Sequence, residues 1–182
     1  MAGILVHEFT TLDGVIDTPS WTMDYGFDPA MSAAIATAMA RCTGILLGRR
    51  TFEMFAQAWP QRTAEDDPGA PFFNDTPKYV VSTTLTDPQW QNSTVLAGYD
   101  AEAIRQLKDS TKGELYVSGS GTLVRAMLAD GLVDELHLFV FPLTRGPADE
   151  RLFPADGPAV RLELIACERY DNGAVHLGYR AT

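Results

Sequence analysis

The stretch Tyr116-Val117-Ser118-Gly119-Ser120-Gly121-Thr122-Leu123 decides how this chain is read. A short apolar run ends in small residues, and a helical pattern follows. That is a strand-to-helix junction, the unit from which α/β folds are built. The glycines let a backbone come close to an anion. Ser120 and Thr122 add hydroxyl donors beside the free N–H groups of a helix start. The stretch carries half of a dinucleotide fingerprint, without the full Gly-x-Gly-x-x-Gly spacing.

A second junction lies upstream at Ile45-Leu46-Leu47-Gly48-Arg49-Arg50-Thr51-Phe52. Gly48 permits a close turn, a helix begins at Thr51, and Arg49 and Arg50 add positive charge where anions collect. The same residues also read as a surface turn with two solvated arginines. A third segment, Val80-Val81-Ser82-Thr83-Thr84, ends a strand in three hydroxyls that suit a ribose or its phosphate, or solvent alone. A dinucleotide has a pyrophosphate to bind, and sheets of this type hold ligands beyond the carboxyl ends of their strands.

Outward from these junctions, strand and helix alternate. Strands are expected at residues 3–9, 44–47, 78–82, 93–97, 114–118 and 133–141. Helices are expected at 28–39, 51–58, 101–109 and 122–129. Asp28 is placed to cap the first helix with Pro29 at its first position, and Met31, Ile35, Ala38, Met39 and Cys42 recur at helical spacing as core. Residues 10–27 read as a long loop and 60–76 as a polar surface loop. Two closing strands, 160–169 and 173–180, turn at Asp171-Asn172-Gly173. This order predicts a three-layer α/β fold, with a mostly parallel central sheet, an antiparallel C-terminal edge and helices on both faces. No linker or repeat divides the chain, so one domain over residues 1–182 is expected.

A formal net charge of −10 argues against nucleic-acid and anionic-membrane partners, and leaves room for a small phosphorylated ligand at a local positive site. Cys42 and Cys167 are too few and too far apart for a metal cluster, and both read as buried thiols. His7, His137 and His176 lie in strands without metal-ligand spacing, so no metal is expected. Neither a basic leader with a long apolar run nor a membrane-length apolar segment is present, and a cytoplasmic location is the expectation.

Taken in order, five segments resemble the dihydrofolate-reductase superfamily over nearly the whole chain. They are Thr11-Leu12-Asp13-Gly14-Val15-Ile16, Leu47-Gly48-Arg49-Arg50-Thr51-Phe52-Glu53, Val81-Ser82-Thr83-Thr84, Leu115 to Leu123, and Val133-Asp134-Glu135-Leu136-His137-Leu138 leading to Pro142. Within the superfamily the chain is most similar to the C-terminal reductase domain of riboflavin-biosynthesis deaminase/reductases and its stand-alone bacterial relatives. The resemblance implies a dihydrofolate-reductase-like fold and an NADPH-dependent oxidoreductase. The implied substrate is a small heterocycle, a pyrimidine or pterin of riboflavin or folate metabolism, as in 5-amino-6-(5-phosphoribosylamino)uracil reductases. Alternatives are dihydrofolate reduction itself and a non-catalytic nucleotide-binding or regulatory protein on the same fold.

The resemblance also implies roles. Gly48, Arg49, Arg50 and Thr51 would hold phosphates of NADPH. Ser82 and Thr83 would lie near the adenosine ribose and its 2′-phosphate, and Gly119, Ser120, Gly121, Thr122 and Leu123 would wrap the pyrophosphate. The loop carrying Asp13 and Gly14 would cover the nicotinamide, and the family's habit of pairing implies a homodimer. Two departures stand out. The segment after Pro142 has one glycine and the acids Asp149 and Glu150, where riboflavin-type reductases are often glycine-rich. The Pro-Trp pair that precedes the relay acid of dihydrofolate reductases is absent, since Trp21 follows Ser20. Asp13 and Asp28 are therefore the catalytic candidates, and Asp13 and Trp21 the substrate-binding ones. Each has a plainer role as well: turn residue for Asp13, helix cap for Asp28, loop anchor for Trp21. The substrate pocket is expected between the first loop, the first helix and the segment after Pro142.

Overall fold

The computed structural model describes residues 2–26, 28–147, 150–155 and 157–181. Phe27, at the end of the expected first loop, and the Ala148-Asp149 pair after Pro142 lie outside the described residues, as do the two ends of the expected domain span.

Among the described residues, eight strands form one sheet: β1 (Ile4–Thr11), β2 (Cys42–Gly48), β3 (Lys78–Val81), β4 (Ser93–Leu96), β5 (Glu114–Ser118), β6 (Glu135–Phe141), β7 (Leu162–Arg169) and β8 (Val175–Ala181). Their order is β4-β3-β2-β5-β1-β6-β8-β7. The first six pair in parallel, and β8 runs antiparallel to both β6 and β7, as the Asn-Gly turn requires. Gly173, in that turn, has φ 86°, a conformation open to glycine.

Central strands are covered on both sides, so their residues are apolar in both parities. Ile4, Val6, Leu46 and Val117 face α4 (Ala101–Ser110) and α5 (Gly121–Ala129), packing on Ile104, Val124 and Met127. Leu5, Ile45, Leu47 and Tyr116 face the opposite way. They pack on Met39 of α1 (Pro29–Met39), Phe52 of α2 (Arg49–Ala58) and Phe73 of α3 (Ala70–Asp75). A third cluster joins Trp21 and Met31 to Phe139, Phe141 and Tyr170. The expected three-layer arrangement is therefore observed.

Several local expectations need correction. The first strand continues to Thr11, and the loop behind it contains a 3-10 helix, Ser20–Tyr25, pinned by buried Trp21. The presumed surface loop 60–76 contains α3, short but anchored by Ala70 and Phe73. Cys42 belongs to β2 and is buried, whereas Cys167 is exposed on β7, the edge strand of the sheet among the described residues. The two faces of β6 are both filled within the chain, Leu136 and Leu138 by one cluster and Phe139 and Phe141 by another. Val133 precedes the strand and sides with Leu136.

Candidate active site

Strand order brings the two Gly-marked junctions together, because β2 and β5 are neighbours and both end at the same edge. The Gly48 amide donates to the Ser120 hydroxyl at 2.7 Å, and that hydroxyl donates to Thr51 Oγ1 at 2.8 Å. Gly119 and Ser120 both adopt positive φ, 64° and 70°. A Cβ on Gly119 would meet Thr51 at 3.1 Å, so glycine is required there by conformation and by the approach of α2. Neither α2 nor α5 has a side-chain cap at its start, which leaves their first N–H groups available.

Beside this double junction lies a cavity of about 1130 Å³. Its wall includes Ile16, Asp17 and Thr18 of the first loop, Ile35 and Met39 of α1, and Glu150 of the segment after Pro142. Those are the three expected pocket segments. Sequence reading missed the aromatic part of the wall: Phe55 of α2, Trp59, and Phe72 and Phe73 of α3. The result is an aromatic-rich hollow suited to a flat ring.

Of the expected cofactor residues, Arg50, Thr51, Gly119, Ser120, Gly121 and Thr122 line the cavity. Gly48, Arg49, Leu123, Ser82 and Thr83 lie outside its wall. Arg49 is bound to Glu53 one turn along α2, at 2.9 Å. Ser82 closes its own turn by accepting from the amides of Thr84 and Leu85. The β2–β3 register pairs Gly48 with Val81, so Arg49 and Ser82 follow at adjacent strand ends.

Asp13, Asp28 and Trp21 are outside the cavity wall, and each does the plainer of its two expected jobs. Asp13 accepts from the Thr11 hydroxyl and from the amides of Arg145 and Gly146, and Arg151 donates to its carbonyl. These donors hold its carboxyl well below the usual carboxylate range, the Thr11 hydroxyl most of all. Asp28 caps α1 through one oxygen, to Ala30 and Met31, and holds the Asp171 amide with the other at 2.9 Å. Those backbone donors, Met31 first, depress its pKa too. Trp21 is buried edge-on against Phe141 and anchors the loop.

Three titratable groups on the cavity wall, Glu8, His7 and Glu150, carried no expected role. Parallel pairing of His7 with Ser118 sets Glu8 level with Gly119. Glu8 is 3% exposed, and its Oε1 has no hydrogen-bond partner among the described residues. Burial, helped by Glu150, pushes its carboxyl up to about 8, and the Gly119 amide only partly opposes this. His7 Nδ1 lies 2.6 Å from the Tyr116 hydroxyl. Burial, with smaller effects from His137 and His176, lowers His7 to about 3. Glu150 is held by backbone pairing with Ile16 and faces Arg125 at 3.8 Å. Its Oε1 lies 2.6 Å from where a Cβ on Gly121 would be. The available signal was charge in the wrong place: a histidine and a glutamate in succession within a strand covered on both faces.

The RibD C-terminal domain model matches residues 2–176. The chain belongs to that family. No match is found among curated proteins. Solved structures are similar over the full fold. One is a protein of Shewanella sp. PV-4 described as a candidate riboflavin biosynthesis protein, 24% identical at a TM-score of 0.74, covering 100% of this chain and 99% of that one. A pyrimidine reductase-like protein of Corynebacterium diphtheriae is 15% identical at 0.69, covering 100% and 92%. Dihydrofolate reductase of Enterococcus faecalis, complexed with NADP(H), is 16% identical at 0.65, covering 99% and 96%. At these identities the likeness establishes the dihydrofolate-reductase-like fold. Among the described residues, no helix is long and apolar enough to cross a membrane.

The residues fit a dinucleotide on structural grounds. Two uncapped helix starts meet at a glycine whose Cβ would fill the approach, and Arg50 and Arg125 stand on the cavity wall. The Glu150 carboxylate at the α5 start acts against a phosphate and is partly offset by Arg125.

Proposed function

We propose that the protein is an NADPH-dependent reductase of a small planar heterocycle, of the pyrimidine or pterin class, related to 5-amino-6-(5-phosphoribosylamino)uracil reduction. One observation carries this reading: the α2 and α5 starts, joined through Ser120, open onto an aromatic-lined cavity large enough for a nicotinamide and a second ring. Gly119, Ser120, Gly121 and Thr122 would cradle the pyrophosphate, with Arg50 and Thr51 beside them. Gly48 and Leu123 would shape the junction from behind. Arg49, Ser82 and Thr83, at adjacent strand ends, would meet the adenosine side and its 2′-phosphate. Bound there, the reduced nicotinamide supplies a hydride. The chain's part is to orient the ring against Phe55, Phe72 and their neighbours and to keep water from the reacting carbon.

Dihydrofolate reduction by the usual acid on the first helix finds no support, because both Asp28 oxygens are engaged away from the cavity. The test is a fluorescence titration with NADPH and NADH at fixed salt, followed by NADPH oxidation with dihydrofolate and with a ribosylaminopyrimidine phosphate. Tighter NADPH binding and turnover of the pyrimidine are expected. Binding without turnover of any pterin or pyrimidine would favour a non-catalytic nucleotide-binding protein. A cytoplasmic homodimer remains part of the proposal. The open edge at β7, which exposes Leu164 and Ile165, is the surface that favours pairing. A monomer mass by light scattering at micromolar concentration would refute it.

A further inference from the structure

We infer that Lys78 is a positioning residue for the substrate ring: its ammonium anchors α3 and so fixes the aromatic wall that α3 presents to the cavity. The assignment rests on the reductase reading above. Lys78 opens β3, in register with Ile45 and two residues before Val80, both of which pack on the side of the sheet that carries α3. Its side chain therefore runs beneath α3, and it is fully buried. Nζ donates to the carbonyls of Phe73 at 2.8 Å, Asn74 at 3.1 Å and Thr76 at 2.9 Å. It also stands 4.4 Å from the centre of the Trp90 ring.

α3 needs such an anchor. Six residues make too short a helix to hold itself together, and the last carbonyls of a helix lack partners within it. The amide that would next bond the Phe73 carbonyl belongs to Pro77, which has no N–H. Lys78 supplies the missing donor and sets a cation at the negative end of the helix. Asn74 adds a second tie. Its Nδ2 donates to the Trp59 carbonyl at 3.0 Å, and its Oδ1 accepts from Trp90 Nε1 at 3.0 Å.

Phe73, whose carbonyl Lys78 holds, is the hub of the aromatic wall. Its ring stacks on Trp59 at 4.2 Å and meets Phe55 and Phe72 edge-on at 5.4 and 5.3 Å. A shift of α3 would disturb all three contacts. Lys78 itself lies outside the cavity wall, so it acts through α3. A methionine would fill the same space without the cost of burying a charge. That cost shows in the ammonium, which burial lowers to about 8 and Asp75 only partly restores. What the ammonium adds is direction, three bonds that set the angle of α3.

The test compares wild type with Lys78→Met, which keeps the stem and removes the donors, and with Lys78→Gln, which keeps a two-hydrogen donor. The Phe73 and Thr76 amides bond within α3, to Gly69 and Phe72. Their hydrogen exchange, measured without ligand, should be slow in wild type and at least about tenfold faster in Lys78→Met. KM for a ribosylaminopyrimidine phosphate should rise about tenfold, with kcat and the NADPH Kd each within about threefold of wild type. Lys78→Gln should fall between the two, and it carries the comparison if Lys78→Met does not fold. Unchanged exchange at those amides, an unchanged KM, or equal losses for NADPH and pyrimidine would each overturn the assignment while leaving the reductase reading intact. Wild type that binds no NADPH overturns the reductase reading and the role toward a substrate with it, while the exchange rates still decide whether Lys78 anchors α3.

Discussion

The Gly48 amide and the Ser120 hydroxyl, 72 positions apart in sequence, meet at 2.7 Å and tie the two strand-to-helix junctions into one unit. Through the same oxygen Ser120 reaches Thr51, so one side chain sets the spacing of the two helix starts. The hydroxyl is thereby spent on the scaffold, and the groups left for an anion are the backbone amides around it.

Ser120→Ala should therefore act on both stability and binding. It leaves the partly buried Gly48 N–H without its partner, which costs about 1–3 kcal/mol. NADPH affinity should fall about 5–20-fold as the helix starts drift apart. Thermal melting and fluorescence titration measure the two effects. A variant of normal stability and normal affinity would show that the bridge does not organise the site.

Glu150→Gln tests the acid that faces the α5 start. Removing a negative charge beside the proposed phosphate position should tighten NADPH binding, by about 3–10-fold at low salt, with the gain shrinking as salt rises. It should also lower the Glu8 pKa, because Glu150 is one of the causes that raise it. Weaker NADPH binding in the variant would mean that Glu150 supports the site instead of opposing an anion there.

The fold was legible where patterns were long and junctions carried glycine. β5 was read to the residue, and α1, α4 and β6 within two. α3 was missed because six residues are too few to show a helical period, and its polar approach resembled a loop. The junction residues were legible through Gly48, Gly119 and Gly121. What sequence could not display was which hydrogen bonds use up a carboxylate. Asp13 and Asp28 looked like acids near a pocket, and only the positions of Arg145, Gly146 and Asp171 show them to be saturated. Glu8 had the reverse problem. Its orphaned oxygen depends on β5 and the segment after Pro142 closing over it, far away in sequence.

Asp28→Asn separates structure from chemistry at the position first read as a catalytic candidate. Its carboxylate caps α1 and also holds the hairpin turn at Asp171. Asn still caps the helix through its carbonyl oxygen, but its amide nitrogen cannot accept from Asp171, so a lower Tm is expected. The rate of substrate reduction, measured well below the new Tm, should stay within about threefold. A hundredfold loss at unchanged stability would return Asp28 to the chemistry.

Stability should vary with pH in a way that identifies Glu8 and His7 separately. Glu8 is raised in the folded state from 4.5 to about 8, so its contribution is full below pH 4.5 and is lost as pH rises through about 8. His7 is lowered from 6.5 to about 3, so its contribution is full above pH 6.5 and is lost as pH falls through about 3. Between pH 4.5 and 6.5 the two slopes oppose each other, and a flat-topped profile is expected from this pair. His176, lowered mainly by burial, adds to the acid limb. Glu8→Gln removes a titrating acid from the fold, so the decline between pH 6.5 and 8 should disappear while the acid limb stays. Melting scans of wild type and Glu8→Gln across pH 4 to 9 provide the measurement, with a difference of several degrees expected at pH 8. An unchanged alkaline decline in the variant would place its origin in another group.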